Sequence, residues 1–159
     1  MRVPTEDQYK ILDIFEKERE AIIQAIKQIF TFPYVEETQL VMLETVTDKY
    51  GIGFDAYPHT APFDRAPLFE EDRGTDIIRV EGVAGGSFYF GDDFDVDALL
   101  EEDLLDAYLL VGEKLLVKWL GKRIKEVEGY DAFPYPICMC FQGDEPYYYD
   151  LSTGTRERI

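Results

Sequence analysis

"TQLVMLETVTDKYGIGFDAY", residues 38 to 57, is the stretch whose reading decides the fold. Its first half, 38 to 47, is rich in β-branched residues, and "IGFDAY" (52 to 57) alternates apolar with small or polar positions, as a strand with two unlike faces does. Between them, "DKYG" offers Asp48 to open a type I turn and Gly51 for the left-handed position that follows. The stretch reads as a β-hairpin.

Two more hairpins follow from the same signals. "TDIIRVEGV" (75 to 83) and "SFYF" (87 to 90) read as strands, with Gly85 and Gly86 in the turn between them. "YPICMCF" (135 to 141) and "YYYDLST" (147 to 153) flank the turn chemistry of "QGDEP". The segment 58 to 74, "PHTAPFDRAPLFEEDRG", holds three prolines and no periodicity, and is expected to be a long irregular loop.

Helical spacing marks two other segments. Thr5 and Gln8 have the spacing of a capping box, and Ile11, Phe15, Ile22, Ile26 and Ile29 then recur on one stripe, predicting a helix that ends near Phe30. From about Glu102 to Glu128, Leu104, Tyr108, Val111, Leu115 and Trp119 form a stripe broadened by Leu105, Leu109, Leu116, Leu120 and Ile124. Gly129 is a natural stop for it. The order predicts a single α+β domain over 1–159: an antiparallel sheet built from hairpins, packed against an N-terminal helix and a long helix near 102–128.

The chain is 46% hydrophobic, with eleven Phe and eleven Tyr, which is enough for a core despite a net charge of −17. No apolar run is long enough to cross a membrane. The N-terminal "MRVPTEDQYK" lacks the apolar segment of a secretory signal, so a cytoplasmic location is expected. Cys138 and Cys140 fall on one face of a strand and are expected to pack as small hydrophobes, with neither zinc-knuckle nor redox spacing.

The charge is unevenly placed. Between Asp64 and Asp106 stand fourteen acids and three arginines, and "GDDFDVDALLEED" (91 to 103) alone has seven carboxylates and no cation. From Glu113 to Glu128 the sign reverses, with five basic residues against three acids. Asp93, Asp95 and Asp97 match the first three ligand positions of an EF-hand loop. Ala98 stands where its glycine belongs, however, and Leu104 where its closing glutamate belongs, so no metal site is expected. The aspartates lack a neighbouring His or Lys and the environmental contrast that separates an acid from a base. Helix capping before Ala98 accounts for some of the seven charges, and the remainder repel one another unless a partner relieves them. Nucleic acid is excluded as a direct partner by the same field.

No nucleophile elbow, P-loop or zinc-protease motif is present, no cofactor is implied, and the one histidine, His59, reads as a surface loop residue. His59, Asp64 and Arg65 are the residues to inspect if the chain is instead a small-ligand-binding protein or an enzyme with a pocket by the 58–74 loop. A regulatory subunit of a larger assembly would instead present an exposed apolar patch. "PYYYD" (146 to 150) places Tyr148 on the opposite strand face from Tyr147 and Tyr149, which makes Tyr148 a candidate contact residue.

In size, acidity and lack of a catalytic motif the chain resembles the immunity proteins of bacterial toxin systems. That resemblance implies a catalytically silent domain that neutralises a basic partner such as a nuclease toxin. Glu70, Glu71, Asp72, Asp92, Asp93, Asp95, Asp97, Glu101 and Glu102 would then meet Lys and Arg on the toxin, with Tyr148 as an aromatic contact.

Overall fold

A computed structural model describes residues 3–159. The decisive hairpin is present: β1 (Leu40–Asp48) pairs antiparallel with β2 (Gly51–Ala61), from Leu40 opposite His59 to Asp48 opposite Gly51. Asp48 Oδ1 accepts the backbone N–H of Tyr50 at 2.8 Å and of Gly51 at 3.2 Å, closing the turn from its side chain. Gly51 is needed on two counts, a backbone φ of 157° that side-chain-bearing residues rarely adopt and close packing. A Cβ at this residue would lie 1.9 Å from the carbonyl oxygen of Phe88 on β4 (Gly85–Tyr89).

Around this hairpin the sheet runs β3 (Asp64–Arg65), β2, β1, β5 (Ile137–Cys140), β6 (Tyr147–Asp150), β7 (Thr155–Arg158), with β4 also paired to β2. Every pairing is antiparallel except one: β5 lies parallel to β1, Val41 opposite Ile137 through Glu44 opposite Cys140. The chain reaches β5 through a helical crossover, the connection that brings a returning strand in parallel. β7 extends the last hairpin, and its four residues are all exposed, so no apolar alternation in "TRER" announces it.

The helices lie on one face. α1 (Thr5–Lys17), α2 (Arg19–Thr31) and the long α4 (Leu105–Glu126) cover the side chains of Val41, Leu43, Ile52, Phe54, Phe88 and Met139. Phe15, Phe88 and Trp119 form an aromatic triangle at its centre, with ring centroids 4.9 to 5.9 Å apart. Among the described residues no α-helix packs on the opposite sheet face, which carries a smaller cluster of Leu40, Met42 and Cys138, with Cys140 and Tyr148 beside it. Cys138 and Cys140 share that face as the two-residue period requires, and burial pushes both thiols up to about 12.

Several expectations are corrected. The N-terminal helix is two helices broken at Glu18. Position 18 falls on the apolar stripe between Phe15 and Ile22, where an unbroken helix would bury a carboxylate. The break leaves Glu18 exposed. The capping box does not form, because Pro4 takes the N-cap position and Gln8 Nε2 donates to the Val3 carbonyl at 3.0 Å. The long helix is present as α4, beginning at Leu105 rather than near Glu102, and a separate short helix, α3 (Val96–Glu101), precedes it, with Asp103 at φ 60° between them. Gly129 does take a left-handed backbone just beyond α4, φ 102°.

The 58–74 segment is only partly irregular. β2 runs on to Ala61, the chain turns back into β3, and Glu70–Asp72 forms one turn of 3₁₀ helix. Residues 75 to 83 form no strand. β4 and β3 already take the free edge of β2, pairing at Gly51–Asp55 and at His59 and Ala61, so the segment crosses as an irregular strap. It touches β2 at Ala56, which accepts the Val83 N–H at 2.8 Å. Gly85 and Gly86 lie within β4, not in a turn, and a Cβ at Gly86 would strike Ile22 Cδ1 at 2.4 Å, so the glycine lets α2 settle on the strand.

Gly51→Ala is expected to destabilise the protein by roughly 2–3 kcal/mol, since the clash is with backbone that cannot rotate away. Gly53→Ala, whose Cβ would find nothing nearer than 3.7 Å, is expected to stay within about 1 kcal/mol of the parent. Urea unfolding of the pair measures the difference, and equal midpoints would refute the close approach of β4.

Candidate functional site

The acidic stretch 91 to 103 resolves into carboxylates with separate partners. Asp95 is the N-cap of α3, its Oδ1 accepting the Ala98 N–H at 3.0 Å, which is the capping expected before Ala98. Asp93 receives Lys17 Nζ at 3.0 and 3.1 Å, tying the stretch to the end of α1. Asp97 lies 3.4 Å from Lys49 Nζ of the β1–β2 turn. Asp92, Glu101 and Glu102 are exposed and enter no ion pair among the described residues. Among those residues no three His, Cys, Asp or Glu side chains are placed to hold a metal ion.

Glu70, Glu71 and Asp72 have unlike surroundings. Asp72 is buried, gripped by Arg79 through Nε at 2.9 Å and Nη2 at 2.5 Å, and that hydrogen bonding holds its carboxyl below the usual range. It is therefore spent inside the fold and corrected as a contact residue. Glu70 meets Arg73 at 3.0 Å, and Arg73 also grips Glu37. Glu71 is exposed and in no ion pair among the described residues. Tyr148 is half-buried on the helix-free face, its ring edge toward Phe63 at 6.1 Å, so only part of it is available to a partner.

On that face the structure assembles a charged cluster that sequence reasoning only half anticipated. Glu44 interrupts the apolar run of β1 and points away from the helices, in register with Asp55. Arg65 of β3 binds it twice, Nε to Oε2 at 2.9 Å and Nη2 to Oε1 at 2.8 Å. His59 Nε2 lies 3.0 Å from the same Oε2. Burial works against ionisation of Glu44, but the hydrogen bonds from His59 and Arg65 outweigh it and hold the carboxyl at about 2. Asp55 has no such partner. Burial and the nearby Glu81 and Glu44 raise its carboxyl, against one backbone hydrogen bond from Gly82.

His59 is thus corrected from a surface loop residue to a buried one in β2, 2% exposed. The missed signal was Glu44 itself, a lone charge inside "LVMLETV", which needed a cation from elsewhere in the chain. Arg65 also stacks on Tyr57, 3.7 Å from its ring centroid, and donates from Nη1 to the Arg79 carbonyl at 3.1 Å. Tyr57 donates its hydroxyl to the Val80 carbonyl at 2.5 Å. Two clefts border this arrangement, about 310 Å³ by Leu68, Ile77 and Arg79 and about 360 Å³ by Glu44, Asp55, Val80 and Cys140.

The cluster has the residue types of a catalytic site without their chemistry. The bidentate Arg65 and the His59 hydrogen bond hold Glu44 as a carboxylate, too weak a base to take a proton at neutral pH. His59 directs Nε2 to Glu44, and its Nδ1 is buried with no hydrogen-bond partner among the described residues, so neither nitrogen meets a solvent-borne substrate. The Cys140 thiol is pushed up by burial, the reverse of an activated nucleophile. Structurally the cluster is a clamp joining β1, β2, β3 and the strap. Asp64 of the same hairpin is exposed and takes no part in it.

Comparison with protein-family models, with curated proteins and with solved structures finds no match for the chain. Among the described residues no helix is long and apolar enough to cross a membrane.

Because the Glu44 carboxyl is depressed in the folded state, its contribution is complete above the unfolded value near 4.5 and is lost as pH falls toward 2. The expected loss is roughly 1–2 kcal/mol between about pH 5 and pH 2.5, allowing for solvent screening of a side chain that is 28% exposed. Glu44→Gln should flatten that part of the profile in urea unfolding measured across the window. An unchanged slope would mean that the clamp does not stabilise the fold.

Proposed function

We propose that this protein is a binding domain for a basic protein, acting in the cytoplasm by covering its partner as an immunity protein covers a bacterial toxin. A nuclease toxin is the partner whose chemistry matches best, since a surface built for phosphate is itself rich in Lys and Arg. The observation that carries the reading is where the charges are spent. Arg19, Arg65, Arg73, Arg79, Arg123 and Arg156 each meet a carboxylate of the same chain, so they bind the fold together and leave the acidic excess facing outward.

The outward carboxylates Asp92, Glu101 and Glu102 are grouped within eleven residues, while Lys114, Lys118 and Lys122 are exposed farther along the chain on α4. A molecule charged in this way turns an acidic face toward an approaching cation and raises the encounter rate, most strongly at low salt. The arrangement at Glu44 supports a silent partner-binding role better than catalysis, because Glu44, His59 and Arg65 are committed to one another and, through Arg65, to the strap.

The test is affinity capture with the tagged protein from cells that encode it, at low and high salt, followed by kinetics with the protein captured. The expected result is one basic protein in stoichiometric amount, whose association slows about tenfold or more between 50 and 500 mM salt. A triple variant, Asp92→Asn with Glu101→Gln and Glu102→Gln, should slow association several-fold at low salt without lowering the thermal midpoint. Binding that ignores both salt and the triple variant would overturn the electrostatic role of this surface.

A further inference from the structure

The strap at 75 to 83 exposes Ile77, Ile78 and Val80 to 56%, 82% and 85%, three branched aliphatic side chains within four residues. Scattered exposed apolar residues are ordinary, but a contiguous group of this kind marks a contact surface. The strap is also held in place from beneath. Tyr57 bonds the Val80 carbonyl, Arg65 bonds the Arg79 carbonyl, and the Arg79 side chain is anchored on buried Asp72. Thus the backbone and the one charged side chain between Ile78 and Val80 are tied inward, while the aliphatic side chains face out.

We propose that this ridge is the centre of the partner-binding surface, seated in an apolar cleft of the basic partner, with the surrounding acids forming its rim. The inference rests on the reading of the preceding section and adds the location of the interface. Asp76 and Glu81 flank the ridge in the chain, and Glu71 is close enough to act on Arg79. Arg73 and Arg79, the cations within the strap and the turn before it, are already paired with Glu37, Glu70 and Asp72. An apolar centre within a charged rim is the usual anatomy of a specific interface.

Charge selects the occupant. A second copy of the chain would bring acidic rims together in a molecule of net charge −17, and anionic lipid headgroups would be repelled in the same way. A partner with an apolar cleft rimmed by Lys and Arg satisfies both parts of the surface. The carboxylates of 92–102 then act at longer range, in steering, while the ridge slows dissociation.

Two synthetic nine-residue peptides, blocked at both ends, test this on the isotopically labelled intact protein by NMR titration: one alternating lysine with leucine, the other lysine with serine. The expected result is that the leucine peptide perturbs the amides of 75–83 and the methyl groups of Ile77, Ile78 and Val80, and binds about tenfold more tightly than the serine peptide. The double variant Ile78→Ser with Val80→Ser should erase that difference, leave serine-peptide binding unchanged, and leave the spectrum elsewhere that of the parent. A leucine peptide that maps only to 91–106, or that binds no more tightly than the serine peptide, overturns the ridge while leaving the attraction for cations standing. Failure of both peptides to bind at low salt overturns the basic-partner reading as well. A dimer in sedimentation that Ile78→Ser disperses would assign the ridge to a second copy and overturn the proposal in that way.

Discussion

A carboxylate in the middle of the central strand has to be neutralised, and much of the helix-free face is organised by that requirement. Glu44 sits on β1 between β2 and β5, in register with a second acid, Asp55. Like charges directly across a strand pair destabilise it. The cation that answers Glu44 is Arg65, which reaches it because the chain turns back after Ala61 into β3. Arg65 continues to the strap through the Arg79 carbonyl, and Arg79 in turn reaches Asp72. One charge on a strand thus ties β3 and the strap to the sheet.

The same economy is seen on the helical side. Glu16, beside the break between α1 and α2, accepts Trp119 Nε1 at 2.7 Å and Arg123 Nη1 at 3.0 Å, and Arg123 and Arg19 both reach Glu126. Arginine suits these places because its planar fork lets one side chain bridge two carboxylates, as Arg123 and Arg19 each do between Glu16 and Glu126, and keeps its charge when partly buried. Lysine remains outside. Each of these pairs cancels one carboxylate with one arginine, so the net charge of −17 is carried by acids that have no such partner.

Binding would then divide between two regions of different physics. The exposed carboxylates of 92–102 set a field that acts over several ångströms and fades with salt. The ridge of Ile77, Ile78 and Val80 acts only on contact, through apolar area removed from water. Neither needs the other to be present for the fold, because the ridge is held by Tyr57 and Arg65, and the acidic stretch by Asp95, Lys17 and Lys49.

Where a segment's neighbours are close in sequence, its form was legible from sequence alone. The 38–57 hairpin, the stripes of Ile11 to Ile29 and Tyr108 to Ile124, the cap before Ala98, the shared face of Cys138 and Cys140 and the α+β class all follow from local periodicity and turn chemistry. What depended on distant residues was not. "TDIIRVEGV" has strand composition, yet β3 and β4 occupy the edge it would have joined, so its aliphatic side chains face solvent. His59 reads as a loop residue until Glu44 gives it a partner, and Asp72 reads as free until Arg79 buries it. Glu18 stands where an unbroken helix would turn it to the core, and the helix breaks there. Local preference is written in neighbouring residues, but edge occupancy and charge pairing are competitions among segments far apart in the chain, and only the folded arrangement decides which segment wins.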